Sequence, residues 1–285
     1  MKKHRLFAFL SIVCLLLAAL PVFARADMGP KPQITVRVVN PPSEPYYLDL
    51  LIPVEENANY DNLTWSDIDS IDEPLSNSLR EFTRDGWQLA MLDGTVAPMR
   101  GMLESQDGTF VFGYVGVPDE FRVAVAVKDG GSASLPIRRT MFQQVFTYDY
   151  AANSLAASSP APHAVLKQLC LTLFPTLLIE GVLLIMFGFP LHRNWKIFVF
   201  ANLATQLVLS FVLGTAVLRK GTLFAYTIMV PLEIVIFLFE ADVFRKRLVS
   251  GRAHAHPVVY AFTANAASAV CTFLSVKPLF HLLMR

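Results

Sequence analysis

Three glutamates, Glu180, Glu233 and Glu240, stand inside long apolar segments of this 285-residue chain, together with three amides, Asn202, Gln206 and Asn265. A carboxyl group in such surroundings can bind and release a proton or offer oxygen ligands to a cation, and an isolated charge there is very costly. The spacings put the polar groups on shared helix faces, because Asn202 and Gln206 are four residues apart and Glu233 and Glu240 seven. No Lys or Arg falls within these segments at a matching depth, so the three acids must be neutral, or share a cation or water. Pro175 and Pro231 precede Glu180 and Glu233. Each removes a helix donor and predicts a local opening of the backbone. The amides have a plainer use as interhelical glue, at about 0.6 kcal/mol per contact.

Other candidate chemistry is sparse. Asp61, Asp67, Asp69, Asp72 and Glu73 crowd one stretch. Ile71 occupies a position where a calcium loop would need a ligand, however, and no glycine follows, so the stretch reads as a solvated acidic loop. His254 and His256 are two imidazoles in a basic loop, too few for a metal site and better suited to anionic lipid headgroups. No histidine occurs between Asp27 and Pro162, which excludes a Ser-His-Asp triad from that region. Nucleotide-binding glycine loops and the common protease motifs are missing throughout. We therefore expect no enzyme, no cofactor and no nucleic-acid partner.

The elements that must hold the acids follow from composition. The chain is 54% hydrophobic and only 16% charged, with a mean hydropathy of +0.45, which is the balance of a membrane protein. Lys2, Lys3 and Arg5, the apolar run 6–23 and the triplet Ala24-Arg25-Ala26 form the three parts of a secretory signal peptide over 1–26. Nineteen of the 23 acidic residues lie between Asp27 and Asp149, against nine Lys and Arg, so the following region is strongly acidic. It is also free of cysteine, which excludes a disulfide scaffold.

Alternating apolar and β-branched runs at 33–40, 46–52, 88–92, 109–115, 121–128 and 143–150, punctuated by Asp-Gly and Pro turns, predict a β-rich, sandwich-like domain over 27–150. One helix is expected over 75–84. Residues 151–165 are small, polar and Pro-rich, the composition of a linker.

Four apolar runs, 166–189, 197–218, 222–243 and 258–276, each approach the roughly 20 residues of a membrane span, so 166–285 reads as a four-helix transmembrane domain. If the signal is cleaved, the β-rich domain is extracytoplasmic. The loop carrying Arg245, Lys246, Arg247 and Arg252 then lies inside, as the positive-inside rule asks, although Arg219 and Lys220 fall outside. With that orientation all six polar residues gather between the midplane and the cytoplasmic side, pointing inward.

The mature start Ala26-Asp27-Met28-Gly29-Pro30-Lys31-Pro32, followed by a strand and a helical region with Glu180, Asn202-x-x-Thr205-Gln206, Glu233 and Glu240, resembles a group of exported bacterial membrane proteins without assigned activity. The resemblance implies this architecture and a bacterial plasma membrane. The expected fold is thus α+β: an extracytoplasmic β-rich domain followed by an all-α bundle of four transmembrane helices in a lipid bilayer. Two functions fit. The external domain binds a protein partner, as a sensing or accessory part of a transport or signalling complex; or the intramembrane carboxylates serve a small proton- or cation-coupled transporter or channel component.

Overall fold

The computed structural model describes residues 29–55, 58–63, 69–158, 162–253 and 255–283. The expected signal peptide, Asp67 and His254 lie outside the described residues. The chain divides into two compact units, a β-rich one over Lys31–Ala161 and a helical one built mainly from Pro162–Val217 and Thr222–Leu282.

In the β-rich unit, the first sheet contains β1 (Gln33–Val39), β4 (Thr109–Gly113), β8 (Gln143–Asp149) and β9 (Ser154–Ala157), in the order β4-β1-β8-β9. The second contains β2 (Tyr47–Pro53), β3 (Trp87–Leu89), β5 (Glu120–Val127) and β6 (Gly130–Ala133) in the order β3-β2-β5-β6, with β7 (Ile137–Arg138) also paired to β5. All pairings are antiparallel except β1 with β8, which run parallel from Gln33↔Gln143 to Val39↔Asp149. One apolar core takes residues from both sheets. Ile34, Val36, Phe110, Phe112 and Phe146 come from the first, and Leu48, Leu50, Phe121, Val123 and Val125 from the second, all fully buried. Alternation places the buried residues on one face of β4 and β8, the period of a half-buried strand.

Several boundaries differ from the sequence pattern. The expected helix over 75–84 is α1 (Glu73–Arg80), shifted toward the N-terminus because Asp72 caps it, accepting from Leu75 N at 3.1 Å, and Pro74 suits its first turn. It stops before Asp85 and Gly86, both at positive φ. The strand β6 lies where Gly130 and Gly131 read as a turn; pairing with β5 overrides the poor strand propensity of glycine. Residues 154–157, expected within a linker, form β9 on the edge of the first sheet, where Tyr148↔Leu155 and Phe146↔Ala157 pair. Small residues are tolerated on an edge strand because partner backbone supplies the hydrogen bonds.

In the helical unit, three helices are long and apolar enough to cross a membrane among the described residues: α2 (Pro162–Met186), α3 (Leu191–Arg247) and α4 (Pro257–Leu283). The two runs expected at 197–218 and 222–243 belong to α3, which is broken at Gly221, where φ 80 and ψ −176 leave the helical region for one that only glycine enters freely. A straight helix would separate Thr205 from Glu240 by about 50 Å. Their side chains are 2.7 Å apart, so the arms 191–220 and 222–247 fold back on each other. The backbone openings expected at Pro175 and Pro231 are not seen, since both prolines lie within unbroken stretches of helix. Proline's φ is itself helical, and the surrounding turns hold the axis after one bond is lost.

Candidate functional site

Glu180 near the C-terminal end of α2, Asn202 and Gln206 on the first arm of α3, Glu240 on its second arm and Asn265 on α4 are all buried. Glu233, on the second arm, is half-buried, with Oε1 enclosed. The reason they share one region is register. Glu180 lies one and a half turns before its helix ends, Asn202 three turns into α3, Glu240 two turns before α3 ends, and Asn265 two turns into α4. Antiparallel neighbours with those offsets meet at one level.

Two of the carboxyls are held by donors from other helices. Glu240 accepts from the Thr205 hydroxyl at 2.7 Å and from Asn265 Nδ2 at 2.8 Å, so one side chain joins both arms of α3 to α4. Glu180 accepts from the Ser268 hydroxyl at 2.9 Å, and its backbone carbonyl accepts from the Tyr260 hydroxyl at 3.3 Å, both donors from α4. Gln206 Nε2 donates to Thr176 Oγ1 at 3.1 Å, joining the first arm to α2. Asn202 and Asn265 each return Nδ2 to the carbonyl four residues back, on Phe198 and Ala261.

Among the described residues, four side-chain oxygens are buried without a partner: Glu180 Oε2, Asn202 Oδ1, Gln206 Oε1 and Glu233 Oε1. Every one is an acceptor. Glu180 also feels both Glu240 and Glu233 electrostatically, and among the described residues none of the three carboxyls pairs with Lys or Arg. Asp242, half a turn beyond Glu240 and so on the opposite face, is exposed and is the acid that meets Lys246 at 2.6 Å and Arg245 at 3.6 Å.

The hydroxyls of Thr176, Thr205 and Ser268 complete the cluster and are missed by reading carboxyls and amides alone. A signal for them existed, because Thr176 precedes Glu180 by four residues, Thr205 adjoins Gln206, and Ser268 follows Asn265 by three.

The β-rich unit holds a second buried acid. Asp49 on β2 is fully buried and accepts from Leu50 N at 2.7 Å, Met91 N at 3.0 Å and Leu92 N at 3.2 Å. Burial pushes its carboxyl up to about 7, assisted by the nearby charge of Asp93; the three backbone donors oppose this only in part. The role of Asp49 is to bind the chain after β3 against β2. The same unit carries a groove of about 650 Å³ lined by Tyr47, Met102 and Val111 and edged by Glu104 and Asp107, with Met102 55% exposed.

The described acids of the loop, Asp61, Asp69, Asp72 and Glu73, are exposed, and some of them support local structure. Asp72 caps α1, Glu73 lies in its first turn, and Asp61 accepts from Leu63 N at 3.0 Å. Among the described residues no group of three or more His, Cys, Asp or Glu is placed to hold a metal ion. Of the histidine pair, His256 is among the described residues. The chain matches no protein-family model, no curated protein and no solved structure, so its functional reading rests on these side chains.

Proposed function

We propose that the chain is a bacterial plasma-membrane protein whose helical unit crosses the bilayer four times, α3 contributing two passes, and that it binds and releases a proton, or a small cation shared between one glutamate and the neighbouring amide and hydroxyl oxygens, in the cluster of Glu180, Glu233 and Glu240. The β-rich unit is then a sandwich-like domain on the extracytoplasmic side. The observation that supports this reading is the sign of the unmet demand: among the described residues, four buried oxygens lack a donor and none of the three glutamates forms an ion pair with Lys or Arg. Packing glue alone would pair donors with acceptors in balance. A surplus of acceptors beside three acids calls for a positive species, and burial without one is costly.

The test is flux through the full chain reconstituted in lipid vesicles. With an imposed pH or sodium gradient, the wild-type protein should dissipate it, and Glu180→Gln with Glu233→Gln should abolish that. Wild-type vesicles as tight as empty ones to both ions would sink the reading.

A second reading is favoured by the groove: the β-rich unit as a module that docks a protein partner through Met102 and Val111. There, Met102→Glu should remove a cross-linked neighbour in native membranes while leaving vesicle flux unchanged. An unaltered cross-linking pattern would count against it.

A further inference from the structure

Two polar series run side by side through the helical unit. On α2 they are Gln168, Thr172, Thr176 and Glu180; on the first arm of α3 they are Gly214, Ser210, Gln206 and Asn202. Both recur every fourth residue, which keeps each on one face, and because the helices are antiparallel the rungs meet in order. Gln168 Nε2 donates to the Ser210 carbonyl at 2.8 Å, and the Thr172 and Ser210 hydroxyls lie 3.3 Å apart. Gln206 Nε2 donates to Thr176 Oγ1, and the last rung sets Asn202 against Glu180, with Asn202 Oδ1 and Glu180 Oε2 both buried and unpartnered. Gly214 completes the set for a steric reason: a Cβ there would lie 2.8 Å from Gln168 Oε1 and 2.9 Å from its Nε2, so a larger residue would push the amide out of this position. Except for the half-buried Ser210, all eight positions are buried.

The two directions away from Glu180 differ in kind. Toward the Pro162 end the ladder continues for twelve residues, about 18 Å of helix. Toward the opposite end it meets rings. Tyr260 packs against Phe187, Phe189 and Phe244 with centroids 6.0, 5.8 and 5.4 Å away, and Leu184, Phe198 and Ala264 fill in around them. The loops at that end are pinned, since Asn194 exchanges two hydrogen bonds with Val249 at 3.0 and 2.8 Å, and Gly251 N donates to Gly188 O at 2.9 Å.

We propose that this ladder is a one-sided proton path, along which protons reach Glu180 from the Pro162 end while the aromatic plug closes the other. The proposal rests on the reading of the acid cluster as an ion-binding site and narrows its ligand to the proton. The chemistry of the rungs selects the proton over a metal cation. Thr172 and Thr176 direct their hydroxyls at Gln168 O and Thr172 O, at 3.2 and 3.0 Å, so the two middle rungs carry hydroxyls, Thr172 with Ser210 on one and Thr176 on the other, that can turn between acceptors. A dehydrated cation needs several oxygens at once.

In each transfer a hydroxyl gives its proton to the next acceptor inward, and its oxygen takes a replacement from the Gln168 side. The ladder ends unchanged, and one proton has moved from bulk water to Glu180 Oε2. The amides of Gln168 and Gln206 position the relay, and the path requires a water to enter and bridge each gap between successive hydroxyls. The other titratable groups facing Glu180 are Glu233 and Glu240, from the second arm of α3, and Tyr260 from α4.

Hydrogen–deuterium exchange at the carboxyl, followed by infrared spectroscopy of the full chain in lipid nanodiscs, tests this. Glu180→Gln identifies the carboxylic-acid band of Glu180 by removing it. On transfer to heavy water that band should shift as O–H becomes O–D. In Thr172→Val, and separately in Ser210→Ala, the band should keep its position while its exchange slows by about tenfold, the factor carried by loss of one hydrogen bond's worth of barrier lowering. Thr172→Ser should restore the wild-type rate, which a merely structural role of the threonine would not require. Exchange equally fast in both variants overturns the path but leaves the acid cluster standing. A spectrum with no band that Glu180→Gln removes overturns both.

Discussion

Replacing Glu240 asks whether the cluster holds neutral acids or a charge. Glu240 receives two interhelical hydrogen bonds, from Thr205 and Asn265, at about 0.6 kcal/mol each. Both donors have other acceptors. Thr205 also reaches the carbonyls of Ala201 and Asn202 at 3.1 Å, and Asn265 that of Ala261 at 3.0 Å. Glu240→Leu therefore forfeits the two contacts without stranding a donor and should cost about 1.2 kcal/mol. Glu240→Gln should cost less than about half of that, because a glutamine keeps the shape of a protonated glutamate. Its Oε1 can accept from Asn265 while its Nε2 donates to the Thr205 oxygen, whose hydroxyl is free to turn. The assay is reversible unfolding of the full chain in mixed micelles of increasing denaturing detergent, followed by helical circular dichroism. If Glu240→Gln proved as destabilising as Glu240→Leu, Glu240 would be an anion bound to a cation, and the neutral-acid argument would fail.

Two further outcomes follow from single positions. Asp49 has its carboxyl raised to about 7, so the folded β-rich unit binds a proton that the unfolded chain releases near pH 4; its contribution to stability falls as pH rises from about 4 to 7 and is level above. Asp49→Asn should flatten that part of the profile, measured by thermal unfolding monitored through tryptophan fluorescence, and an unchanged slope would show that other groups set it. Gly221→Ala places a Cβ on a backbone at φ 80 and should destabilise the fold-back of α3 by about 1 to 3 kcal/mol in the same detergent titration. A neutral result would mean that the break relaxes without cost.

Much of the β-rich unit is legible in the order of its residues. The alternation in Gln33–Val39 and Gln143–Asp149 marks strands because a half-buried sheet demands period two. The pairing of those two strands, and their parallel direction, is not legible, since alternation says which face is buried and not which neighbour covers it. The strand at Ser154–Ala157 is hidden for a related reason: its residues favour no strand by themselves and become one when Asp149–Phe146 offers free backbone. Asp49 escapes notice within an otherwise apolar strand, because its donors come from Met91 and Leu92, more than forty residues away.

For the helical unit, the sequence by itself determined the apolar lengths, the acids that interrupt them and the four-residue spacing of Asn202 with Gln206. These are properties of one segment at a time, set by composition and by the 3.6-residue turn. Only the tertiary structure decided which groups meet. Gly221 breaks α3, the arms fold back, and Thr205 comes to Glu240 across 35 positions of chain. The match of Gln168, Thr172, Thr176 and Glu180 with their partners on the first arm depends on the register between two packed helices, which side-chain volume sets across the whole contact. Which oxygens are left without a donor is therefore a property of the assembled bundle, and it is from those oxygens that the proposed chemistry follows.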